Sequence, residues 1–304
     1  MADNDAWPAL DYDEWAATKR TLHMVAQMLG KVRLAISPAQ PEWFHARLFL
    51  DGRGLVTGPM PCGSTTVSMG IDLYRPELWM ARDGRSVAVP LEPDRCVSAL
   101  WADVQGALRE LGLELDLWDK PQEVRDTPPL AANERDCTLV AEHLQRFHKV
   151  LSATYATLEE FRSPFFGRSG VQFWWGTFDL TVLLFSGRKV EAPTDRGYIM
   201  RYDLDAEHFN AGFWPGDDDS RRAIFYGYLV PRPAGCEAAA IEPPEASWVE
   251  EMGMWALPYD AVRQSPDPRR TLLDFLESIY RLALDLGGWD RSAHEYERPA
   301  PRPR

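Results

Sequence analysis

The chain has 304 residues, 45% of them apolar and 26% charged, a balance that excludes a disordered, collagenous or coiled-coil protein. Acidic residues outnumber basic ones by 46 to 33, and the net charge of −13 argues against a nucleic-acid groove or an anionic membrane surface, which both ask for a basic face. The unusual counts are 12 Trp and 24 Pro.

The opening residues Met1 to Pro8 are acidic and polar and lack the charged-then-apolar pattern of a secretion signal. No apolar run approaches the roughly 18 residues of a membrane span, so a cytoplasmic protein is expected. Cys62, Cys96, Cys137 and Cys236 are far apart with no C-x-x-C pair. They are read as reduced thiols, not as a zinc or redox motif.

Tyr12 to Leu29 carries apolar residues at helical spacing, with Gly30 where a C-cap belongs. Strands are expected at 32–36, 43–50, 54–58, 65–73, 78–81 and 86–89, with Asp51-Gly52 and Asp83-Gly84 as hairpin turns. A helix follows over 94–111, then an alternating strand over 113–118. Residues 119–132 are Pro-rich, polar and without period. Beyond them a long helix is expected over 134–161, strands at 171–175, 178–185 and 224–230, and helices at 243–251 and 268–286.

The two halves share an order. Trp43-Phe44 leads to Gly52-Arg53, and Phe173-Trp174-Trp175 leads to Gly187-Arg188; LRELG (108–112) before Trp118-Asp119 is echoed by LALDLGG (282–288) before Trp289-Asp290. The expected fold is therefore α+β: two pseudo-repeated halves, each an antiparallel sheet with helices on one face, forming one compact unit. The boundaries are an N-terminal half 1–120, a linker 121–133, a C-terminal half 134–292 and a disordered tail 293–304. A pocket between the two aromatic strands follows from such an arrangement.

Seven phrases in order carry a family likeness: WPALDYDEW (7–15), TLHMVAQMLGKVRLAISP (21–38), FWWGTFDL (173–180), FSGR (185–188), AGFWPG (211–216), LPYDAVR (257–263) and LGGWDR (286–291). They resemble the bacterial family catalogued as domain of unknown function 5996, across nearly the whole chain. The family pattern has His where this chain has Glu42 and Gln172, and a His-Glu pair where it has Ala206-Glu207 with His208 displaced by one. His23 matches. The resemblance implies a metal or acid–base centre in typical members; with two imidazoles replaced, a shared metal site is not expected here.

Candidate acid–base groups are Glu42, His45, Asp179, Glu207 and His208. His23, Trp43, Arg53, Gln172, Trp174 and Trp214 are candidate substrate-binding residues, since indole offers a rigid apolar wall with one donor. Asp179 lies within an apolar strand and needs a partner, for which Arg53 or Arg188 is expected. Asp217 to Asp219 are read as a solvated turn, not a calcium loop. No nucleotide-binding or serine-hydrolase signature is present. The expectation is an enzyme acting on a small apolar or aromatic metabolite by acid–base chemistry in a Trp-rich pocket, of isomerase, cyclase, lyase or hydrolase type. It has no cofactor, and neither nucleic acid nor membrane as partner. The alternative is a non-catalytic protein that binds a small ligand or metal.

Overall fold

A computed structural model describes residues 6–192, 194–195 and 197–296. Helix α1 spans Tyr12–Ile36, capped by Asp11, whose side chain accepts from the Asp13 amide at 2.9 Å. The expected stop at Gly30 and the expected strand over 32–36 are both replaced by uninterrupted helix. Gly30 is there for close approach, because a Cβ at that position would meet the Trp175 ring at 2.1 Å. Residues on both sides of it are buried, and that burial outweighs the roughly 1 kcal/mol a mid-helix glycine costs.

The first sheet is a meander of β1 (Phe49–Leu50), β2 (Gly54–Val56), β3 (Met60–Cys62), β4 (Thr65–Asp72), β5 (Glu77–Arg82) and β6 (Arg85–Pro90). Its order is β1-β2-β4-β5-β6, with β3 also pairing β4. Asp83 and Gly84, both left-handed at φ 51° and 74°, close the β5–β6 hairpin as the sequence predicts. The expected strand over 43–50 shrinks to its last two residues, because Pro41–Trp43 forms a 3-10 turn. Helix α2 (Val97–Glu110) follows, and residues 113–118 alternate in burial without pairing as a strand.

Cys96 and Cys137 form a disulfide, which corrects the reading of four reduced thiols; Cys62 and Cys236 are free. The pairing was hidden by a sequence separation of 41. Val97 N–H to Asp136 O and Ser98 N–H to Asn133 O, both 3.0 Å, bring the two segments together.

In the second half, α3 (Ala141–Arg162) starts later than expected, since Asn133 and Asp136 close a turn by hydrogen bonds of 2.7 and 3.1 Å. The strands are β7 (Gln172–Trp174), β8 (Asp179–Lys189), β9 (Ala206–Trp214), β10 (Ile224–Val230), β11 (Ser247–Val249) and β12 (Met254–Pro258), with α4 (Tyr198–Asp203) between β8 and β9. They form a sheet ordered β11-β12-β10-β9-β8-β7. The expected helix over 243–251 is instead the edge strand β11. Helices α5 (Tyr259–Arg263), α6 (Pro268–Asp285) and α7 (Arg291–His294) close the chain. α7 and a bridge from Phe165 to Glu295 occupy the start of the expected tail, whose residues 297–304 lie outside the described ones.

Each half runs helix, antiparallel sheet, helix, and the two meet where Leu48 and Phe173 exchange backbone hydrogen bonds of 2.8 Å. Strand alternation then sorts the second sheet into two chemistries. One face carries Phe173, Leu180, Val182, Leu184, Phe209, Phe213 and Phe225, all fully buried, and packs against α3 and α6. The other carries Gln172, Trp174, Asp179, Thr181, His208, Asn210, Trp214, Tyr226 and Tyr228. Among the described residues, no helix is long and apolar enough to cross a membrane.

Candidate active site

A cavity of about 1570 Å³ lies over that polar face. β7 to β10 supply Trp174, Asp179, Asn210, Trp214, Tyr226 and Tyr228 to it. α1 adds Lys19, His23 and Lys31; the irregular segment after α2 adds Trp118 and Glu123; α4 adds Tyr198, Met200 and Asp203. Trp43 and Trp175 complete the indole lining, while Trp7 and Trp15 belong to the core.

Asp179 reaches the cavity through the β7–β8 hairpin, in which it pairs with Trp174 and the Phe178 amide donates to Trp174 O at 2.7 Å. Phe178 is left-handed at φ 64° and turns its ring into the core against Phe147, at 5.5 Å between centroids. Its neighbour Asp179 therefore faces the other way, onto the cavity. The Asp179 carboxylate accepts from the Thr177 and Tyr226 hydroxyls, not from the expected arginines. Burial raises its pKa to about 6, although both hydrogen bonds pull it down. Burial likewise pushes the Tyr226 hydroxyl well above its ordinary value. Alongside, Thr181 donates to Asn210 Oδ1 at 2.5 Å, and Asn210 Nδ2 donates to the Tyr228 hydroxyl at 2.8 Å.

Two further carboxyl groups face Asp179, and no periodic signal in the sequence marks either. Glu123 lies in the stretch read as linker. The buried Gln27 amide fastens that stretch to α1, donating to Gln122 O and accepting from Gln122 N, both at 2.9 Å. Glu123 then lies against Gly176, where a Cβ would meet its Oε2 at 2.1 Å, so only glycine leaves room for it. Burial first, then Asp179 and Asp203, raise Glu123 to about 7. Asp203, at the end of α4, is raised to about 6 by burial and then by Asp179 and Asp205.

The other candidates divide. His23 lines the cavity, but its Nε2–H is committed to Trp175 O at 2.9 Å and Gly176 O at 3.0 Å, and burial lowers it to about 3. It stays neutral and holds the hairpin. Trp43 lines the cavity and donates to Ile199 O at 3.0 Å, which ties it to α4. Glu42 is buried, raised to about 8 by burial and by Asp205, and its Oε2 has no partner. Gln172 Oε1 accepts from Arg47 at 3.2 Å, leaving Nε2 unpaired. His208 Nδ1–H donates to Ala206 O at 2.9 Å, Nε2 is unpaired, and burial lowers the ring to about 4. Gln172 and His208 share the cavity face of the sheet without lining the cavity.

His45, Glu207 and Arg53 stand elsewhere. His45 is buried under Trp43 at 5.6 Å, with Nδ1 taken by the Gln40 amide at 3.1 Å. Glu207 lies on the opposite strand face, paired with Arg188 and Ser186. Arg53 is exposed and sits over the Trp79 ring at 4.8 Å. Spacing alone could not separate these from the lining residues, because one residue of register reverses a strand side chain.

Backbone strain gathers at the same place. Trp43, Glu123 and Asp126, all lining the cavity, are left-handed at φ 55°, 55° and 48°; Glu42 and Phe178 beside the lining are at 53° and 64°. Each such residue costs about 1–3 kcal/mol and persists where the surroundings over-determine it, a pattern concentrated at functional sites. No group of three His, Cys, Asp or Glu arranged to hold a metal occurs among the described residues.

Fold and site together define an α+β protein of two antiparallel sheets, with a carboxyl-bearing aromatic cavity over one of them. The chain belongs to the family of unknown function DUF5996, whose model matches residues 7–296. No curated protein and no solved structure matches it.

Proposed function

We propose that the cavity is the active site of an enzyme that works by acid–base chemistry on a small apolar or aromatic molecule. The observation that carries this reading is the facing pair Asp179 and Glu123, raised to about 6 and about 7. Near neutrality one is mostly ionised while the other still holds its proton about half the time, so a base and an acid face one cavity. Asp179 is the base: the Thr177 and Tyr226 hydroxyls fix its orientation and stabilise its charge. Glu123, on the segment fastened by Gln27, is the acid. Taking a proton at one carbon or oxygen and returning one at another is the work of an isomerase, cyclase or lyase. Such chemistry needs no nucleotide cofactor.

The test is incubation of the full chain with a metabolite extract, followed by mass spectrometry of the compounds consumed and formed. The expected result is a compound consumed by the wild-type chain and untouched by Asp179→Asn and Glu123→Gln. Compounds retained on the wild-type chain but chemically unchanged would support a binding protein instead.

A further inference from the structure

Two tyrosines stand side by side on the cavity face, and only one of them gives its proton to the protein. Tyr226 and Tyr228 are two residues apart on β10, with nearly parallel rings 6.3 Å between centroids and 17° between planes. Both line the cavity. The Tyr226 hydroxyl donates to Asp179, and a phenol has no second proton to give.

The Tyr228 hydroxyl is held the other way round. Its cross-strand neighbour on β9 is Asn210, which lines the same cavity. Thr181 Oγ1 stands 2.5 Å from one end of the Asn210 amide, the length of an O–H···O bond and too short for N–H···O. That end is therefore Oδ1, and the distance settles which way the amide faces. The other end, Nδ2, donates to the Tyr228 oxygen at 2.8 Å. Tyr228 thus accepts from the protein and, among the described residues, donates to none of it. His208, whose ring stands edge-on to Tyr228 at 6.2 Å between centroids, takes no bond at Nε2. Burial, then Asp203 and Asp179, push the Tyr228 pKa above its ordinary value, so the hydroxyl keeps its proton. The arrangement is a donor anchored at its oxygen, with its proton left for a guest in the cavity.

The neighbours decide which guest. An anionic oxygen would be repelled by Asp179 and Asp203, whose charges already act on Tyr228. An alcohol or ether oxygen takes the bond but does not acidify the C–H beside it. A carbonyl oxygen does both. The stacked rings put the Tyr228 hydroxyl one ring spacing from the Tyr226 hydroxyl that holds Asp179. A carbonyl group and its neighbouring carbon bridge such a gap. The C–H bond then breaks, its proton passes to Asp179, and the electron pair spreads onto the oxygen held by Tyr228. Glu123 protonates a carbon conjugated with that oxygen, and the two carboxyls reset by exchanging protons with water.

We propose that Tyr228 donates to the carbonyl oxygen of the substrate, an apolar ketone carrying a C=C bond or an aromatic ring and seated among Trp43, Trp174 and Trp214. This rests on the reading of the cavity as an acid–base site and names the class of molecule it takes.

The experiment is calorimetric titration of the full chain with 2-acetylnaphthalene and with 2-isopropenylnaphthalene, in which a CH₂ group replaces the oxygen. In Tyr228→Phe the ratio of ketone to hydrocarbon affinity should fall roughly three- to tenfold, the scale of one hydrogen bond, with hydrocarbon binding unchanged. The infrared carbonyl stretch of the isotope-labelled ketone should lie lower on the wild-type chain than on Tyr228→Phe. Tyr198→Phe removes an exposed hydroxyl from the cavity rim and should move neither reading. An affinity ratio and a stretch unchanged by Tyr228→Phe would overturn the carbonyl inference and keep an aromatic site. Equal losses for ketone and hydrocarbon would make Tyr228 part of the wall and overturn its role as donor. Failure of both probes to bind would overturn both readings.

Discussion

Replacing Asp179 by Asn should stabilise this protein at alkaline pH while removing its chemistry. Asp179 is 6% exposed and its pKa rises on folding from 3.8 to about 6. That difference corresponds to about 3 kcal/mol between the protonated and ionised forms. The folded-state value lies above the unfolded one, so between them the folded chain holds more protons than the unfolded chain. Stability therefore falls as pH climbs from about 4 to about 6, and above that range the ionised carboxylate costs the fold the whole amount. Asparagine never ionises and escapes this cost. It also turns one acceptor into an NH₂ group facing a hydroxyl donor, either Thr177 or Tyr226, a mismatch of about 1 kcal/mol. The net gain at about pH 8 is about 2 kcal/mol, or a rise in Tm of about 3 °C for a chain of this length. At about pH 4 the gain vanishes and the mismatch leaves the variant slightly less stable. The assay is a thermal melt of both proteins across this range, read by circular dichroism. A variant whose Tm differs from wild type by the same amount at both ends refutes the reasoning, because Asp179 would then titrate as an exposed carboxylate.

Gly30→Ala should destabilise by about 1–3 kcal/mol despite alanine's better helix propensity, since the new Cβ meets the Trp175 ring at 2.1 Å and that ring is pinned by its bond to Ala46 O at 2.8 Å. A urea midpoint at or above wild type would contradict that close approach. Cys96→Ser with Cys137→Ser opens a cross-link spanning 41 residues and should cost about 4 kcal/mol on the chain-entropy account, seen as a drop in Tm that reducing agent reproduces in the wild type. Gln27→Leu cuts both bonds to Gln122 and should speed amide exchange in residues 120–127 far more than in the middle of α1. Uniform acceleration would assign Gln27 to the core and not to the fastening of Glu123.

Much of the fold was legible because its signals are local. The Asp83-Gly84 hairpin and the strand at 224–230 follow from short patterns, and the structure has them. The errors fall where distant parts of the chain set local conformation. Gly30 looks like a helix stop until Trp175, far along the chain, is placed against it. Leu113 to Trp118 alternates like a strand, yet alternation shows only that one side is covered. Cys96 and Cys137 carry no motif, and only the turn at Asn133 to Asp136 brings them together.

The site divides along the same line. Asp179, Trp43, Trp174 and Trp214, which line the cavity, were legible as candidates because a carboxylate within an apolar run and indoles clustered with other aromatic residues are anomalies that a sequence can show. Glu123 and Asp203 were missed because an acid in a polar segment is ordinary, and only the fold turns these two inward. The signal that could have found Glu123 is indirect: Gly176 follows two tryptophans at a hairpin, and a glycine there asks what approaches it. This gives the net charge of −13 a second meaning. Part of the acid excess is not a solvated surface repelling nucleic acid. It lines one aromatic cavity, where burial raises Asp179, Glu123 and Asp203 above the usual carboxylate range. Holding carboxyl groups there costs stability, and the acid–base reading proposed above accounts for that cost by having a proton come and go between them.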